Sequence, residues 1–440
     1  MTLITSAAPY GYPLSATDGM NKAKVFARIV FLLAALVYLA EVAVHGFASW
    51  LLDSRQPRKV ELAAKLDPGN PAVWTARGAH LLFSEQGFQP EKAVEAYLHA
   101  ATLNPLDVRN WDGLADAYFQ LHEPRKMEAA LRAAAFASPH SPAAAWRLAN
   151  FLLLAERTGE AFSYLRVVAQ SSRQLRPAVF DIAWKAAADP GVVFNQVVPR
   201  DAECLGDYLR FLMARGKLGD GEPVWAALRA ARSVEAQQLG SEYAGALAAA
   251  GQGQAAQRTW GQVLADSGRE AARRPGDFLT NGDFELNMPN AGLDWRFQQQ
   301  PGYEIGIDNL VAQQGTRSLR LTFDGSANLD FGGVWQLAPV PPNRRYRFRA
   351  YMKLENVTTD QGIVFCVTPV AAPRAEQFVA CTENRVGTEP WTVRQLDFHT
   401  GPGTSVVLVQ ARRRQSQKLD NLIQGKVWID DVVIEPAGQQ

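Results

Sequence analysis

Between Ile29 and Leu52 the chain reads IVFLLAALVYLAEVAVHGFASWLL, 24 residues without a Lys, Arg or Asp. As a helix rising about 1.5 Å per residue, this stretch covers the ~30 Å hydrocarbon core of a bilayer. Its thirteen Leu, Ile, Val and Phe residues, at roughly −0.4 kcal/mol each, outweigh one mid-helix carboxylate at about +3 kcal/mol, so Glu41 does not prevent insertion. Glu41 and His45 lie four apart on one helical face. They pair with each other or meet a polar partner, or Glu41 is protonated or drawn to the interface. A cleaved signal peptide, with Gly46 and Ala48 before the cut, is a rival reading, but its leader of about 28 residues is long for that class. A core helix of a soluble protein is the other rival, and the sharp change of composition at both ends speaks against it.

What flanks this stretch is polar. Met1 to Met20 is rich in Ser, Ala, Pro and Gly without hydrophobic period, which reads as a disordered tail over 1–22, with the membrane helix at 23–52. Lys22, Lys24 and Arg28 on one side nearly balance Arg55, Arg58, Lys59 and Lys65 on the other, so flanking charge does not orient the span.

Across the whole chain 45 basic residues meet 44 acidic ones. Such a balance gives no electrostatic footprint for nucleic acid. The three cysteines, Cys204, Cys366 and Cys381, have no zinc-type spacing. Cys366 and Cys381 end two apolar β-like runs, GIVFC and QFVAC. They either pair across a hairpin in an oxidising compartment or serve as small buried hydrophobes. Catalytic motifs are missing: there is no GxSxG, HExxH or P-loop. Asp430 and Asp431 are adjacent, and strand alternation sends them to opposite faces, which rules out a glycosidase pair. No enzyme is expected.

From 58 to 268 the sequence is Ala-rich with helical period, and it repeats. Pro105 and Pro139 are 34 apart, with Trp111, Leu114, Ala115, Tyr118, Met127, Leu131, Ala134 and Ala137 between them in one register. Trp74, Gly78, Leu81, Ala93, Tyr97, Ala100, Leu103 and Pro105 form the preceding unit, with three extra residues near Glu85 to Pro90. Leu148, Ala149, Leu152, Ala161 and Leu165 continue the phase before it decays, and Tyr243, Ala244, Leu247, Ala256 and Trp260 form a last unit. These offsets resemble the tetratricopeptide repeat, a stack of antiparallel helical hairpins. By that resemblance an inner groove carries Asp112, Asp116, Phe119, Trp146, Arg147 and Asn150, a surface for a protein partner.

Beyond the charged hinge Arg269 to Pro275, β alternation takes over. LTNGDFE, Trp295, GTRSLRL, VWQLAPVPPNRRYRFRAYMK, WTVRQLDF and VWIDDVVIE follow in order. Together they resemble the jelly-roll carbohydrate-binding modules of the galactose-binding-like class, over 277–437. The resemblance implies one structural calcium held by Asp283 or Glu285 together with Asp431, oxygen donors suited to that ion. In Arg345 to Leu354, Tyr346, Phe348, Ala350 and Met352 point to the core. Arg347, Arg349, Tyr351 and Lys353 point away, a mix of ring and donors suited to sugar, extended by Trp335 and by Arg412 with the run Arg412 to Arg414.

The expected fold is therefore α then β: one transmembrane helix, a tetratricopeptide-like α-solenoid and a C-terminal antiparallel β-sandwich. The expected function is a non-enzymatic, single-pass scaffold of the bacterial inner membrane, its bulk periplasmic. Repeats hold an envelope protein and the jelly roll touches polysaccharide, as an accessory to exopolysaccharide or O-antigen assembly. A protein-only adaptor whose sandwich binds no sugar is the alternative.

Overall fold

The structure, a computed structural model, describes residues 16–53, 56–84 and 88–438. Eight helices come first: α1 (Ala16–Asp53), α2 (Pro57–Leu66), α3 (Pro71–Phe83), α4 (Pro90–Leu103), α5 (Val108–Gln120), α6 (Pro124–Ala137), α7 (Pro142–Leu154) and α8 (Thr158–Ser171). Six more follow: α9 (Arg176–Ala187), α10 (Pro190–Gln196), α11 (Ala202–Ala214), α12 (Gly221–Ala230), α13 (Val234–Ala249) and α14 (Gly253–Asp266). Ten strands complete the chain: β1 (Arg296–Phe297), β2 (Tyr303–Asp308), β3 (Ser318–Asp324), β4 (Phe331–Pro339), β5 (Arg345–Val357), β6 (Val364–Pro369), β7 (Ala380–Cys381), β8 (Gly387–His399), β9 (Val406–Arg413) and β10 (Gln424–Pro436). Helices followed by an antiparallel sandwich is the expected class.

Two compact units divide the chain, 1–175 with 185–187 and 176–184 with 188–440. The division falls near Arg176, far upstream of the charged hinge at 269–275, because the last helices pack on the sandwich. Of the tail expected over 1–22, residues 1–15 lie outside the described residues, and 16–22 already belong to α1.

In the first unit the turns dictate the hairpins. Proline opens α2, α3, α4, α6 and α7, where its missing N–H is no loss. Asn70, Asp107 and Ser141 cap α3, α5 and α7 by accepting backbone N–H groups. The repeat is visible in a single bond: Trp74 Nε1 donates to Pro68 O at 2.8 Å, and Trp111 Nε1 to Pro105 O at 2.7 Å. Glycine sets the helix spacing. A methyl group on Gly113 would lie 2.2 Å from the Tyr97 ring, and one on Gly78 2.8 Å from it. Tyr97 thus fills a slot between neighbouring hairpins that only a missing Cβ leaves open.

The end of α1 joins this stack. Ala48 and Leu51 are buried with Ala63, Ala64 and Val73. His45 Nδ1 meets Asp67 Oδ2 at 2.7 Å, so the partner of His45 is the turn after α2 and not Glu41. Lys24–Leu52 is the one described helix long and apolar enough to cross a membrane, with a mean hydropathy of 2.2.

In the second unit two five-stranded sheets face each other, ordered β1-β4-β9-β6-β7 and β2-β3-β10-β5-β8. Tyr346, Phe348, Ala350 and Met352 of β5 line the core with Phe331, Val334, Phe365, Val407, Val409 and Ala411. α13 and α14 pack against β4. Trp260 Nε1 donates to Thr280 Oγ1 at 3.0 Å, and Ser405 Oγ donates to Gly251 O at 2.6 Å.

Candidate functional site

Four surfaces merit consideration, beginning with the inner face of the repeats. Arg147 on α7 reaches Asp112 at 3.3 Å and also pairs with Asp116, both on α5. Burial raises the Asp112 carboxyl above the usual range, with Arg147 pulling it back and Asp116 adding to the rise. Burial, then Asp116, raises the Tyr97 hydroxyl behind them. Asn150 Nδ2 donates to Trp146 O at 2.8 Å within its own helix. The groove residues are thus together, but their acidity is answered internally by Arg147. Phe119 stands apart, 63% exposed.

The proposed sugar residues do not form one surface. Arg347, Arg349, Tyr351 and Lys353 lie on β5, whereas Trp335 is on β4 and Arg412 on β9, strands of the other sheet. Neighbours occupy the β5 cations. Arg347 pairs with Asp397 at 2.7 Å and Arg349 with Glu435 at 3.3 Å. Lys353 sits 5.1 Å over the Trp428 ring, beside Lys426, which pairs with Glu355. Trp428 in turn donates from Nε1 to Asp308 Oδ2 at 2.9 Å. This face is charged but already self-paired.

The opposite sheet differs. Pairing aligns Arg296, Trp335, Gln410, Cys366 and Cys381 in one row across it. Cys366 and Cys381 are joined as a disulfide. Trp335 is half-buried, and Arg412 is exposed with Asp330 3.7 Å away. Next to Arg412, Arg413 is wholly buried. It donates to Gln361 O at 2.9 Å, Asn421 O at 3.2 Å and Leu329 O, holding three loops. Arg412 to Arg414 therefore does not act as a unit, since its middle member is a structural cation.

The calcium donors do not fit the ion. Arg274 lies at 3.1 Å from Asp283 and also pairs with Asp431, placing a guanidinium between the two carboxylates. Glu285 turns elsewhere, accepting from Thr316 N at 2.7 Å and Arg317 N at 3.0 Å. Among the described residues no cluster of three or more His, Cys, Asp or Glu could hold a metal. The register of β10 shifts between Asp430 and Val433, and Asp431, inside that shift, has a φ of 48°, so simple alternation does not apply there.

The fourth surface escaped the sequence reading. A cleft of about 680 Å³ lies along α12, α13 and α14, lined by Trp225, Arg229, Arg232, Ser233, Arg258 and Asp266 among others. Trp225 Nε1 donates to Gln262 Oε1 at 2.7 Å, Arg229 pairs with Asp266 at 2.8 Å and Arg258 reaches Glu222 at 3.5 Å. The signal was a tryptophan and three arginines within 34 residues, 225–258, which run from α12, outside the repeat register, into the last unit at 243–260.

Comparison with known proteins finds distant likenesses to solved structures. No protein-family model and no curated protein sequence matches the chain. The xylan-binding domain CBM22-1 of Paenibacillus barcinonensis Xyn10C is 15% identical over 36% of this chain and 94% of its own, with a TM-score of 0.28. The enzymatically active domain of bacteriophage CBA120 tailspike protein 4 is 14% identical over 37% of this chain but only 22% of its own, with a TM-score of 0.27. YrrB, a TPR protein with an unusual peptide-binding site, is 13% identical over 48% of this chain and 94% of its own, with a TM-score of 0.23. At these values no functional argument rests on any of them.

Proposed function

We propose that the chain is a membrane-anchored, non-catalytic scaffold of a bacterial envelope whose helical repeats hold a protein partner and whose sandwich stabilises the last hairpin. One observation carries this reading: the apolar part of α1 from Val25 to Val44 is not buried by the rest of the chain, while Ala48 and Leu51 are. An unpacked apolar helix fused to a helical stack needs lipid on one side and leaves the stack free for recognition. The partner's seat is the cleft at α12–α14, where Trp225 lies buried at the floor, Arg232 offers a donor, and Arg229 and Arg258 stand in the walls paired with Asp266 and Glu222. In this reading the N-terminus is cytoplasmic, the bulk is extracytoplasmic, and the scaffold serves exopolysaccharide or O-antigen assembly.

A second reading keeps the sugar. Trp335, Gln410 and Arg412 share the outer side of one sheet, a ring with two donors and no strong internal ion pair. A glycan array of the purified full-length chain beside its Trp335→Ala variant separates the two. Absence of binding in both supports the protein-only scaffold. Binding that Trp335→Ala abolishes moves the sandwich to the second reading, and release of intact chain from membranes by alkaline carbonate refutes the anchor.

A further inference from the structure

The direction of α1 fixes which side of the repeat stack faces the bilayer. α1 and α2 are antiparallel, since Lys59 near the start of α2 lies 5.6 Å over the ring of Trp50 while His45 meets Asp67 just past its end. The turn 67–70 reverses the chain again, so α1 runs parallel to α3. The turns 67–70, 104–107 and 138–141 therefore lie on one edge of the stack, and the turns inside each hairpin lie on the other. α1 leaves the stack past the first edge.

How far it leaves can be counted. His45 is level with Asp67, and the 20 residues from Val25 to Val44 extend beyond it. At about 1.5 Å each they span ~30 Å, the thickness of the hydrocarbon core. The membrane surface then coincides with His45 and Asp67, leaving no spacer between lipid and the turns. Glu41 falls within about 6 Å of that surface and not at mid-membrane.

That edge carries large apolar side chains that the fold does not use. Leu103 ends α4, Leu106 sits in the next turn and Phe136 is the penultimate residue of α6; they are 40, 70 and 83% exposed. Leu66 occupies the place in α2 that Leu103 has in α4, 39% exposed. Exposed apolar residues also occur at the other edge, at Phe83, Phe119 and Leu154. Apolarity alone does not choose between the edges. The exit of α1 does.

We infer that the edge formed by the turns 67–70, 104–107 and 138–141 lies on the bilayer, with Leu103, Leu106 and Phe136 in its interfacial layer. This rests on the membrane anchor proposed above and specifies how the stack is held: edge-on, with its grooves running beside the lipid. Apolar residues at an interface of this kind bury about 5–10 Å deep, between headgroups and acyl chains.

Single cysteines replace Leu106, Phe136, Leu36 and Leu154 in the full-length chain, each labelled with nitrobenzoxadiazole. Native Cys204 is buried with its thiol pushed up to about 12 by desolvation, and Cys366 and Cys381 are disulfide-bonded, so the unsubstituted chain gives the labelling background. The proteins enter vesicles of phosphatidylethanolamine and phosphatidylglycerol containing a shallow nitroxide-labelled lipid for the edge positions or a deep one for Leu36→Cys, which sits about 14 Å below the surface. Labels on Leu106→Cys and Phe136→Cys are expected to lose at least about half their emission, while Leu154→Cys, on the far edge, keeps its own. If Leu36→Cys is quenched but Leu106→Cys and Phe136→Cys are not, the anchor stands and the docking is wrong. Should Leu36→Cys also escape quenching, both the anchor and the docking fall.

Discussion

The repeat stack and the sandwich both pair arginines with carboxylates near solvent, but the sandwich also uses one in the opposite way. In the stack, arginines bridge hairpins through carboxylates near solvent: Arg147 to Asp112 and Asp116, and Arg132 and Arg157 to Glu128 and Glu160. In the sandwich, Arg413 is fully buried and bonds to carbonyls of three loops, with no carboxylate in direct contact. The stack's ion pairs align neighbours that apolar packing already holds, and water replaces them at little loss. A buried guanidinium that satisfies otherwise orphaned carbonyls cannot be replaced by water so readily. The same residue type is thus an accessory at the surface of both regions and a structural centre inside the sandwich.

The widest gap should appear when Arg413 is removed. Arg413→Met keeps the stem but leaves the carbonyls of Leu329, Gln361 and Asn421 without their donor. A loss of roughly 3–5 kcal/mol is expected in the sandwich. Hydrogen exchange resolved by peptide would show it as deprotection over 328–436 with the helices of the first unit unchanged. Near-normal protection of the sandwich would end the comparison. Reducing the disulfide comes next. Cys366 and Cys381 are 15 residues apart, and a closure of that length contributes about 3 kcal/mol, chiefly by restricting the unfolded chain. Urea unfolding with and without reductant should show the loss in sandwich signals only.

Asp277 extends the contrast to carboxylates. It is buried at the start of the sandwich, accepts from Leu279 N and Ile434 N, and desolvation pushes its carboxyl up to about 6. A raised carboxyl favours the folded state most below its unfolded value, and that contribution is lost as pH rises through about 6. Asp277→Asn keeps the acceptor oxygen and removes the charge, so it should stabilise the sandwich by about 2 kcal/mol at pH 8 and by little near pH 4. Urea midpoints across that range check it. In the stack the cap Asp107 has the opposite sign, held low by its hydrogen bond with Arg109, so its contribution fades as pH falls.

The sequence shows these regions unequally. Repeat spacing exposes the hairpins because each unit closes on itself within about 34 residues, through bonds such as Trp111 to Pro105. Alternation in β5 shows which side chains are core, and the same alternation placed Arg413 in phase with Val407, Val409 and Ala411; the cluster of three arginines hid that phase. What a sequence does not carry is which strands become neighbours. Trp335 and Tyr351 look like parts of one surface because both lie in one continuous stretch, yet β4 and β5 turn into different sheets. Arg274 was equally hidden: it meets Asp431 across 157 residues, so the acids looked free for calcium. The cleft at α12–α14 was missed for a related reason, since it forms where α12, outside the repeat register, meets the last unit of α13 and α14.

Arg147→Ala supplies the smallest effect and the sharpest check on the comparison. Arg147 is 31% exposed on its side chain, and Asp112 and Asp116 are 24 and 38% exposed, so solvent screens the pair and its loss should cost under about 1 kcal/mol. The cost should depend on pH. Burial already lifts the Asp112 carboxyl while Arg147 pulls it down, so without Arg147 the carboxyl rises further. The variant then loses most stability where Asp112 is ionised and recovers as acid protonates it. Hydrogen exchange in α5 and α7 at pH 7 and pH 5 measures both terms. If the cost at pH 7 rivals that of Arg413→Met, arginine is structural in both regions, and the difference between them lies in burial alone.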